Sequence, residues 1–201
     1  MSSSQLVDHL PSQPNADNLL DGFLNWASAA GIELYESQEE AVLEFLAGQH
    51  VILTTPTGSG KSLVGTAAHF DALANSKRCW YTAPIKALVS EKFFSLCGQL
   101  GADNVGMITG DASVNPDAAI ICCTQEVLAN LALRHGSAAP VDTAVIDEFH
   151  YYSDRDRGWA WQVPLLELTN PQFLLMSATV GPADFFLQDL EQRTGRAAIE
   201  V

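Results

Sequence analysis

Basic residues are scarce in this chain of 201 residues, which has only 10 lysines and arginines against 24 aspartates and glutamates. The formal net charge of −14 repels a phosphate backbone. Most non-specific affinity for nucleic acids comes from lysine and arginine. The composition therefore argues against strong nucleic-acid binding by this chain alone.

Cysteines and long apolar runs are also few. The 4 cysteines show no C-x-x-C spacing, which argues against a zinc site, and three of them lie in strand-like runs where buried thiols are expected. No segment approaches the roughly 18 to 20 apolar residues of a membrane span. The polar N-terminus lacks the basic and apolar regions of a signal peptide. We therefore expect no membrane association, a reducing cytoplasmic setting, and a flexible leader over residues 1–18.

The rest of the chain, residues 19–201, is long enough for one α/β domain and too short for two. Strand-like and helix-like segments alternate, which is typical of a mostly parallel sheet with helices on both faces. The predicted strands are 50–54, 79–83, 105–108, 119–122, 144–147, 173–176 and 197–201. The predicted helices are 18–30, 38–47, 61–74, 87–99, 125–134, 159–166 and 183–193.

The most informative segment is a strand-like run that ends in a glycine-rich turn before a helix-compatible stretch. Glycines let consecutive backbone N–H groups converge on phosphate oxygens, and the first turn of a helix adds unpaired N–H groups. Lys61 would place a positive charge at the terminal phosphates, and the Ser62 hydroxyl can bind Mg²⁺. The predicted nucleoside triphosphate site comprises Thr55, Pro56, Thr57, Gly58, Ser59, Gly60, Lys61 and Ser62.

A second strand-like run ends in two carboxylates, Asp147 and Glu148, followed by Phe149 and His150. A carboxylate at the C-terminal end of a strand beside a phosphate loop can hold Mg²⁺, and its neighbour can polarise the attacking water. We assign these two roles to Asp147 and Glu148, respectively. An acidic pair alone is a weak signal, but it gains weight from the phosphate loop and from residues 177–179, Ser-Ala-Thr, after a third apolar run.

In this order, the three motifs resemble motifs I, II and III of superfamily-two DExH-box helicases, and the resemblance spans residues 35–179. Tyr35 and Gln38 resemble the glutamine motif that reads adenine in these enzymes, the alternative being a glutamine on a helix surface. The resemblance implies a RecA-like P-loop NTPase fold that uses ATP and Mg²⁺, with Lys61 and Glu148 in catalysis. The residues that it implies for coupling nucleotide state to strand binding are His150, Ser177 and Thr179. A purely structural role is the alternative for the histidine.

Three further segments, 83–88, 109–111 and 123–126, resemble motifs that contact nucleic acid in this family. Ile85 and Gln125 replace the residues that are more usual at their positions. The strand contacts that the resemblance implies are Pro84, Lys86, Gly110, Asp111, Thr124 and Gln125.

The segment after the acidic pair, residues 151–161, is similar to one in superkiller-type, exosome-associated RNA helicases. Asp154, Arg157, Gly158 and Trp161 carry this similarity. It favours RNA over DNA as the single-stranded partner and implies an RNA-degradation complex. Aromatic and arginine side chains of this composition can stack unpaired bases, but tryptophans on a helix can equally anchor that helix to the sheet.

The resemblance also implies a second RecA-like domain, absent from this chain, which would share the strand and supply an arginine finger. Residues 19–201 are accordingly interpreted as the helicase ATP-binding domain, the N-terminal half of a motor. A DNA helicase of the same group and a non-motor nucleotide-binding regulatory module are the alternatives. A P-loop kinase is a further one, although no acceptor site or lid is indicated.

Overall fold

A computed structural model describes residues 5–56, 60–179, 181 and 183–201. The strands found there are β1 (His50–Thr54), β2 (Cys79–Ala83), β3 (Val105–Ile108), β4 (Ser113–Val114), β5 (Ile120–Thr124), β6 (Thr143–Ile146), β7 (Gln172–Ser177) and β8 (Ala198–Glu200). The α-helices are α1 (Ala16–Ala29), α2 (Glu36–Leu46), α3 (Lys61–Ala74), α4 (Lys86–Leu100), α5 (Gln125–His135), α6 (Trp159–Glu167) and α7 (Asp184–Thr194).

These strands form one sheet in the order β4-β3-β5-β2-β6-β7-β1-β8. All neighbouring strands are parallel except β3 and β4, which are antiparallel. The predicted α/β fold with a mostly parallel sheet is therefore confirmed, and the ends of the predicted elements differ from the observed ends by at most two residues. The sequence did not predict β4, because its two exposed residues carry no apolar pattern.

The sheet separates two apolar cores. Successive side chains of a strand point to opposite faces, so Ile52 packs on one side of β1 while Val51 and Leu53 pack on the other. Helices α1 to α4 cover the first face, and α5 to α7 cover the second. The cysteines in β2 and β5 are fully buried in these cores, as predicted. In the part of the chain that the structure describes, no helix is both long and apolar enough to cross a membrane.

The N-terminal segment differs from the prediction of a leader that is flexible as far as residue 18. Leu6–His9 form a short 3-10 helix, and Leu6 is fully buried in the same core as Leu19 and Phe23. Helix α1 begins earlier than predicted because the Asn15 side chain caps it, accepting a hydrogen bond from the Asn18 N–H at 2.9 Å. The prediction was wrong for the described residues from Leu6 on, since one buried leucine in a polar segment leaves no periodic signal.

His50, the first residue of β1, is buried in its neutral form. Its Nδ1 accepts a hydrogen bond from the Phe173 N–H at 2.9 Å, and its Nε2 lies 2.7 Å from Thr194 Oγ1. Burial, aided by the nearby charge of Arg196, lowers the pKa of His50 to about 4. In the unfolded chain this pKa is about 6.5. The unfolded chain therefore binds a proton between these two values and the folded chain does not, so stability falls as the pH drops through this window.

We expect the wild-type chain to lose on the order of 3 kcal/mol more stability between pH 7.5 and pH 4.5 than a His50→Asn variant, because asparagine can accept the Phe173 hydrogen bond but does not titrate. Urea unfolding at the two pH values measures this difference. A His135→Asn variant, altered at an exposed histidine, serves as the control and should follow the wild type. Parallel pH profiles for His50→Asn and the wild type would contradict the prediction.

Candidate active site

The candidate site lies where the carboxyl ends of three adjacent strands meet. In the sheet β6 lies beside β7, and β7 beside β1, with Ile146 paired to Leu175 and Ser177 paired to Thr54. The residues that follow these strands therefore share one edge of the sheet, the usual place for ligands in open α/β sheets. This register brings the three separate sequence motifs together.

The loop after β1 approaches α3 through Gly60, which has a φ of 75° in the left-handed region that favours glycine. The Lys61 ammonium donates hydrogen bonds to the carbonyl oxygens of Thr55 at 2.6 Å and Pro56 at 3.1 Å. The predicted loop residues Thr57, Gly58 and Ser59 lie outside the described residues. The described part thus shows the lysine folded onto the first carbonyls of the predicted phosphate loop.

Gln38 lies against this loop and not on an exposed helix surface. Its side chain is only 4% exposed, and its Oε1 accepts a hydrogen bond from the Tyr35 N–H at 2.9 Å. A Cβ added at Gly60 would lie 2.4 Å from the Gln38 amide nitrogen. The structure therefore places the predicted adenine reader in contact with the glycine that opens α3.

The acidic pair after β6 is held from both sides. Asp147 Oδ2 accepts a hydrogen bond from the Tyr81 hydroxyl at 2.8 Å, and Asp147 Oδ1 accepts one from the Glu148 N–H at 2.9 Å. Burial raises the pKa of Tyr81 well above its usual value, so this hydroxyl stays protonated as a donor. Glu148 has a φ of 51°, a left-handed conformation that costs a non-glycine residue about 1 kcal/mol or more.

This backbone conformation accompanies a contact between Glu148 and His150. Glu148 Oε2 lies 3.2 Å from His150 Nδ1, and Ser177 Oγ lies 3.4 Å from the same nitrogen. Ser177 Oγ in turn donates a hydrogen bond to the Thr179 carbonyl oxygen at 2.9 Å. The residues predicted to couple nucleotide and strand binding are thus joined to the predicted catalytic carboxylate.

A cavity of about 540 Å³ opens beside these groups, and Gln38, Gly60, Ser62, Tyr81 and Asp147 all contribute to its wall. A residue that sequence reasoning missed, Lys92 of α4, also lines it.

Lys92 is only 9% exposed, and its ammonium donates to the Ser62 carbonyl oxygen at 3.3 Å and lies 5.4 Å from the centroid of the Tyr81 ring. Burial lowers the pKa of Lys92. One signal could have revealed it: Lys92 falls at helical spacing between Val89 and Leu96, which are both fully buried.

Most of the predicted strand-contacting residues surround the ends of β2, β3 and β5. Lys86 and Asp111 form an exposed ion pair at 2.6 Å beside exposed Gly110, and this lysine lowers the pKa of Asp111. Pro84 is buried, and its carbonyl oxygen accepts a hydrogen bond from Arg157 Nη2 at 2.6 Å. Thr124, at the N-terminus of α5, is only 9% exposed.

The side chain of Gln125 packs between two helices. Its side chain is fully buried, and its amide donates a hydrogen bond to the Ala160 carbonyl oxygen at 2.9 Å. This contact joins the first residue of α5 to the first turn of α6, so the side chain cannot reach a bound strand. Nucleic-acid binding at Gln125 stays a prediction, and any contact there would have to be made by its backbone.

Comparison with known protein families identifies the family of this chain. Residues 35–185 match the family model described as DEAD/DEAH box helicase. The chain belongs to this family.

Named helicases are similar to this chain over most of its length. It is 38% identical over 155 residues to the chloroplastic DExH-box ATP-dependent RNA helicase DExH15 of Arabidopsis thaliana, covering 73% of this chain and 13% of that protein. It is 36% identical over 179 residues to the antiviral helicase SKI2 of Saccharomyces cerevisiae, and this match covers 88% of this chain and 14% of that protein. It is 34% identical over 143 residues to the ATP-dependent RNA helicase mtr4 of Schizosaccharomyces pombe, and this match covers 70% of this chain and 12% of that protein. The superkiller-type resemblance is therefore confirmed, and the chain spans less than a fifth of the length of each relative.

Solved helicase structures share the fold. A hypothetical ATP-dependent RNA helicase from Sulfolobus tokodaii superposes with a TM-score of 0.68 at 17% identity, covering 92% of this chain and 57% of that one. The DUF1998 helicase MrfA superposes with a TM-score of 0.65 at 23% identity, covering 95% and 33%. These likenesses confirm the RecA-like α/β fold.

The aromatic segment after the acidic pair, residues 151–161, packs inward. Trp161 is fully buried, stacks on Tyr151 at a centroid distance of 5.2 Å, and donates its indole N–H to the Asp147 carbonyl oxygen at 3.4 Å. Trp161 therefore anchors α6, the second of the two interpretations offered by the sequence, and cannot stack a base. Trp159 remains 42% exposed.

The side chains at the site fit a magnesium ion. The described residues include no cluster of three or more His, Cys, Asp or Glu side chains that could hold a metal on its own. Magnesium does not require one, because it commonly takes one or two protein carboxylates and completes its shell with water and phosphate oxygens. The Asp147 carboxylate and Ser62 line the same cavity, so a carboxylate and a hydroxyl are available there.

Proposed function

We propose that this chain is the ATP-binding lobe of an RNA helicase that hydrolyses ATP and moves along or unwinds RNA together with a second RecA-like lobe. The observation that carries the proposal is the meeting of three motifs at one edge of the sheet. Ser62 and Asp147 line one cavity there, and Glu148 contacts His150, which lies beside Ser177. Membership of the helicase family supports the same function.

In this proposal, Lys61 exchanges the Thr55 and Pro56 carbonyl oxygens for the terminal phosphates of ATP. Ser62 and Asp147 would hold Mg²⁺, which supplies positive charge to the phosphate oxygens when bound. Gln38 would hydrogen-bond the adenine, since an amide can both donate to and accept from one purine edge. The backbone N–H groups of the loop would bind the remaining phosphate oxygens.

Glu148 would accept a proton from the attacking water, and its carboxylate lies within 3.2 Å of His150 Nδ1, the nitrogen that also lies beside the Ser177 hydroxyl. His150, Ser177 and Thr179 would then report the nucleotide state to the strand. Because the chain has a net charge of −14, we propose that a single strand is held between this lobe and the second one, which also supplies an arginine finger.

RNA as the strand, a cytoplasmic location and an RNA-degradation complex as partner also belong to the proposal. Their support is the similarity to proteins named as RNA helicases, SKI2 among them. A single strand of RNA offers 2′-hydroxyls and unstacked bases, which allow discrimination by few cations. The alternative of a DNA helicase shares every residue that would act on ATP.

ATPase stimulation of the full-length protein by single-stranded RNA and DNA of matched sequence, length and salt tests the choice of strand. We expect RNA to stimulate hydrolysis more than DNA, with affinity falling steeply as salt rises because phosphate contacts release counterions. Equal or greater stimulation by DNA would overturn the RNA assignment and leave the helicase lobe standing.

A further inference from the structure

Arg157, in the segment 151–161 after the acidic pair, contacts two parts of the chain that carry the motifs predicted to contact the strand. Its Nη2 donates hydrogen bonds to the Pro84 carbonyl oxygen and to Glu126 Oε1, both at 2.6 Å, and its Nε donates to the same carboxylate at 3.2 Å. Pro84 follows β2, and Glu126 lies in the first turn of α5. One guanidinium therefore links two chain segments, 83–88 and 123–126, that the family resemblance assigns to strand binding.

The same guanidinium lies against the aromatic stack that leads back to the nucleotide site. The central carbon of the guanidinium, Cζ, lies 5.9 Å from the centroid of the Tyr151 ring and 5.7 Å from that of the Trp161 ring. Tyr151 also stacks on His150 at 4.8 Å, and Trp161 donates to the Asp147 carbonyl oxygen. A continuous series of contacts thus runs from Asp147 of the acidic pair to the segments around Pro84 and Glu126.

The backbone around Arg157 is shaped to hold it in this place. Asp154 Oδ1 accepts hydrogen bonds from the Asp156 N–H at 2.9 Å and from the Arg157 N–H at 2.8 Å. A Cβ added at Gly158 would lie 2.4 Å from the Asp154 carbonyl oxygen and 2.5 Å from that of Tyr152. A side chain at position 158 would therefore collide with these carbonyl oxygens. The hydrogen bonds that Asp154 accepts fix the turn that holds Arg157.

An ion pair on the protein surface does not by itself require this turn or this set of contacts around Arg157. Exposed pairs contribute about 0 to 1 kcal/mol, and a lysine serves them nearly as well. Arg157 instead bonds a backbone carbonyl, a carboxylate and two ring faces at once, which requires the flat, forked guanidinium. This combination of partners joins two sites, so it points to a role in communication between them.

We propose that Arg157 is a positioning residue that couples strand binding near Pro84 and Glu126 to ATP hydrolysis at the acidic pair, Asp147 and Glu148. A strand bound beside Pro84 shifts the carbonyl that Arg157 holds, and the stack of Tyr151 and Trp161 carries this shift to His150 and to the backbone of Asp147. This inference rests on the proposed function of the chain as a strand-stimulated ATPase.

The test is Arg157→Lys in the full-length protein, with ATP turnover measured without RNA and across a titration with an oligouridylate. Lysine keeps the charge but cannot hold the carbonyl, the carboxylate and the rings together. We expect turnover at saturating RNA to fall about tenfold, basal turnover to stay within about twofold, and the RNA concentration for half-stimulation to change little, as for a lost coupling of ordinary size. Arg155→Lys, altered at an exposed arginine of the same turn, is the matched control and should behave as the wild type.

A second arm uses Glu126→Ala alone and combined with Arg157→Lys. If both residues act through one link, the double variant should lose no more stimulation than the worse single variant. Three results would overturn the inference. Arg157→Lys could be stimulated by RNA as fully as the wild type, or its stimulation could recover at higher RNA concentration, as for a direct phosphate contact. Its basal turnover could also fall as much as its stimulated turnover, together with its melting temperature. Absence of RNA stimulation in the wild type would instead overturn the proposed function, and the inference with it.

Discussion

Glu148→Gln is expected to lower ATP hydrolysis by the full-length protein about 10²-fold or more while leaving ATP binding with Mg²⁺ intact. Glutamine keeps the shape of the side chain and can still accept a hydrogen bond from His150, but it cannot take a proton from water. Single-turnover hydrolysis measures the chemical step, and calorimetric titration measures binding.

The matched control is Asp147→Asn, which changes the neighbouring carboxylate in the same way. Asp147 accepts hydrogen bonds from Tyr81 and from the Glu148 N–H, and it faces the cavity with Ser62. Its variant should weaken the dependence of ATP binding on Mg²⁺ in addition to slowing hydrolysis. An identical binding defect in both variants would show that the two acids do not divide the work as proposed.

Lys61→Ala is expected to abolish measurable ATP binding, because it removes the point charge that would lie between the terminal phosphates. The fold should survive, since Lys61 is not part of the core and, among the described residues, its ammonium donates to the carbonyl oxygens of Thr55 and Pro56. Calorimetric titration with ATP and Mg²⁺ measures the effect, and a thermal melt checks the fold.

Lys77→Ala is the matched control for this change, because Lys77 is also partly exposed and its ion pair at 3.3 Å with Asp71 lies at the far end of α3. It should bind ATP as the wild type does. Unchanged affinity in Lys61→Ala would contradict the assignment of the phosphate loop.

The sequence predicted the fold well because the strands are short apolar runs bounded by turn residues. Parallel strands of a covered sheet are apolar on both faces, which makes them visible without alignment. Two features escaped prediction because they depend on single contacts. Leu6 packs into the core from a polar segment, and β4 pairs with β3 through two exposed residues.

The positions of residues next to strand ends follow from the sequence more directly than contacts that depend on distant packing. The positions of Asp147 and Ser177 follow from the order of adjacent strands. The burial of Gln125 follows from the docking of α6 onto α5, and the placement of the Arg157 guanidinium follows from a carbonyl 73 residues away in the chain. Neither contact leaves a local pattern. Lys92, by contrast, does leave one, because it is a charged residue at a position of α4 where the helical spacing predicts an apolar side chain.

The most direct test of the central claim is ATP turnover by the full-length protein with and without single-stranded RNA. We expect turnover that saturates with RNA, exceeds the basal rate by about tenfold or more, and weakens as salt rises. Turnover that is the same with and without RNA, at concentrations where RNA is bound, would contradict the account of a strand-stimulated helicase lobe.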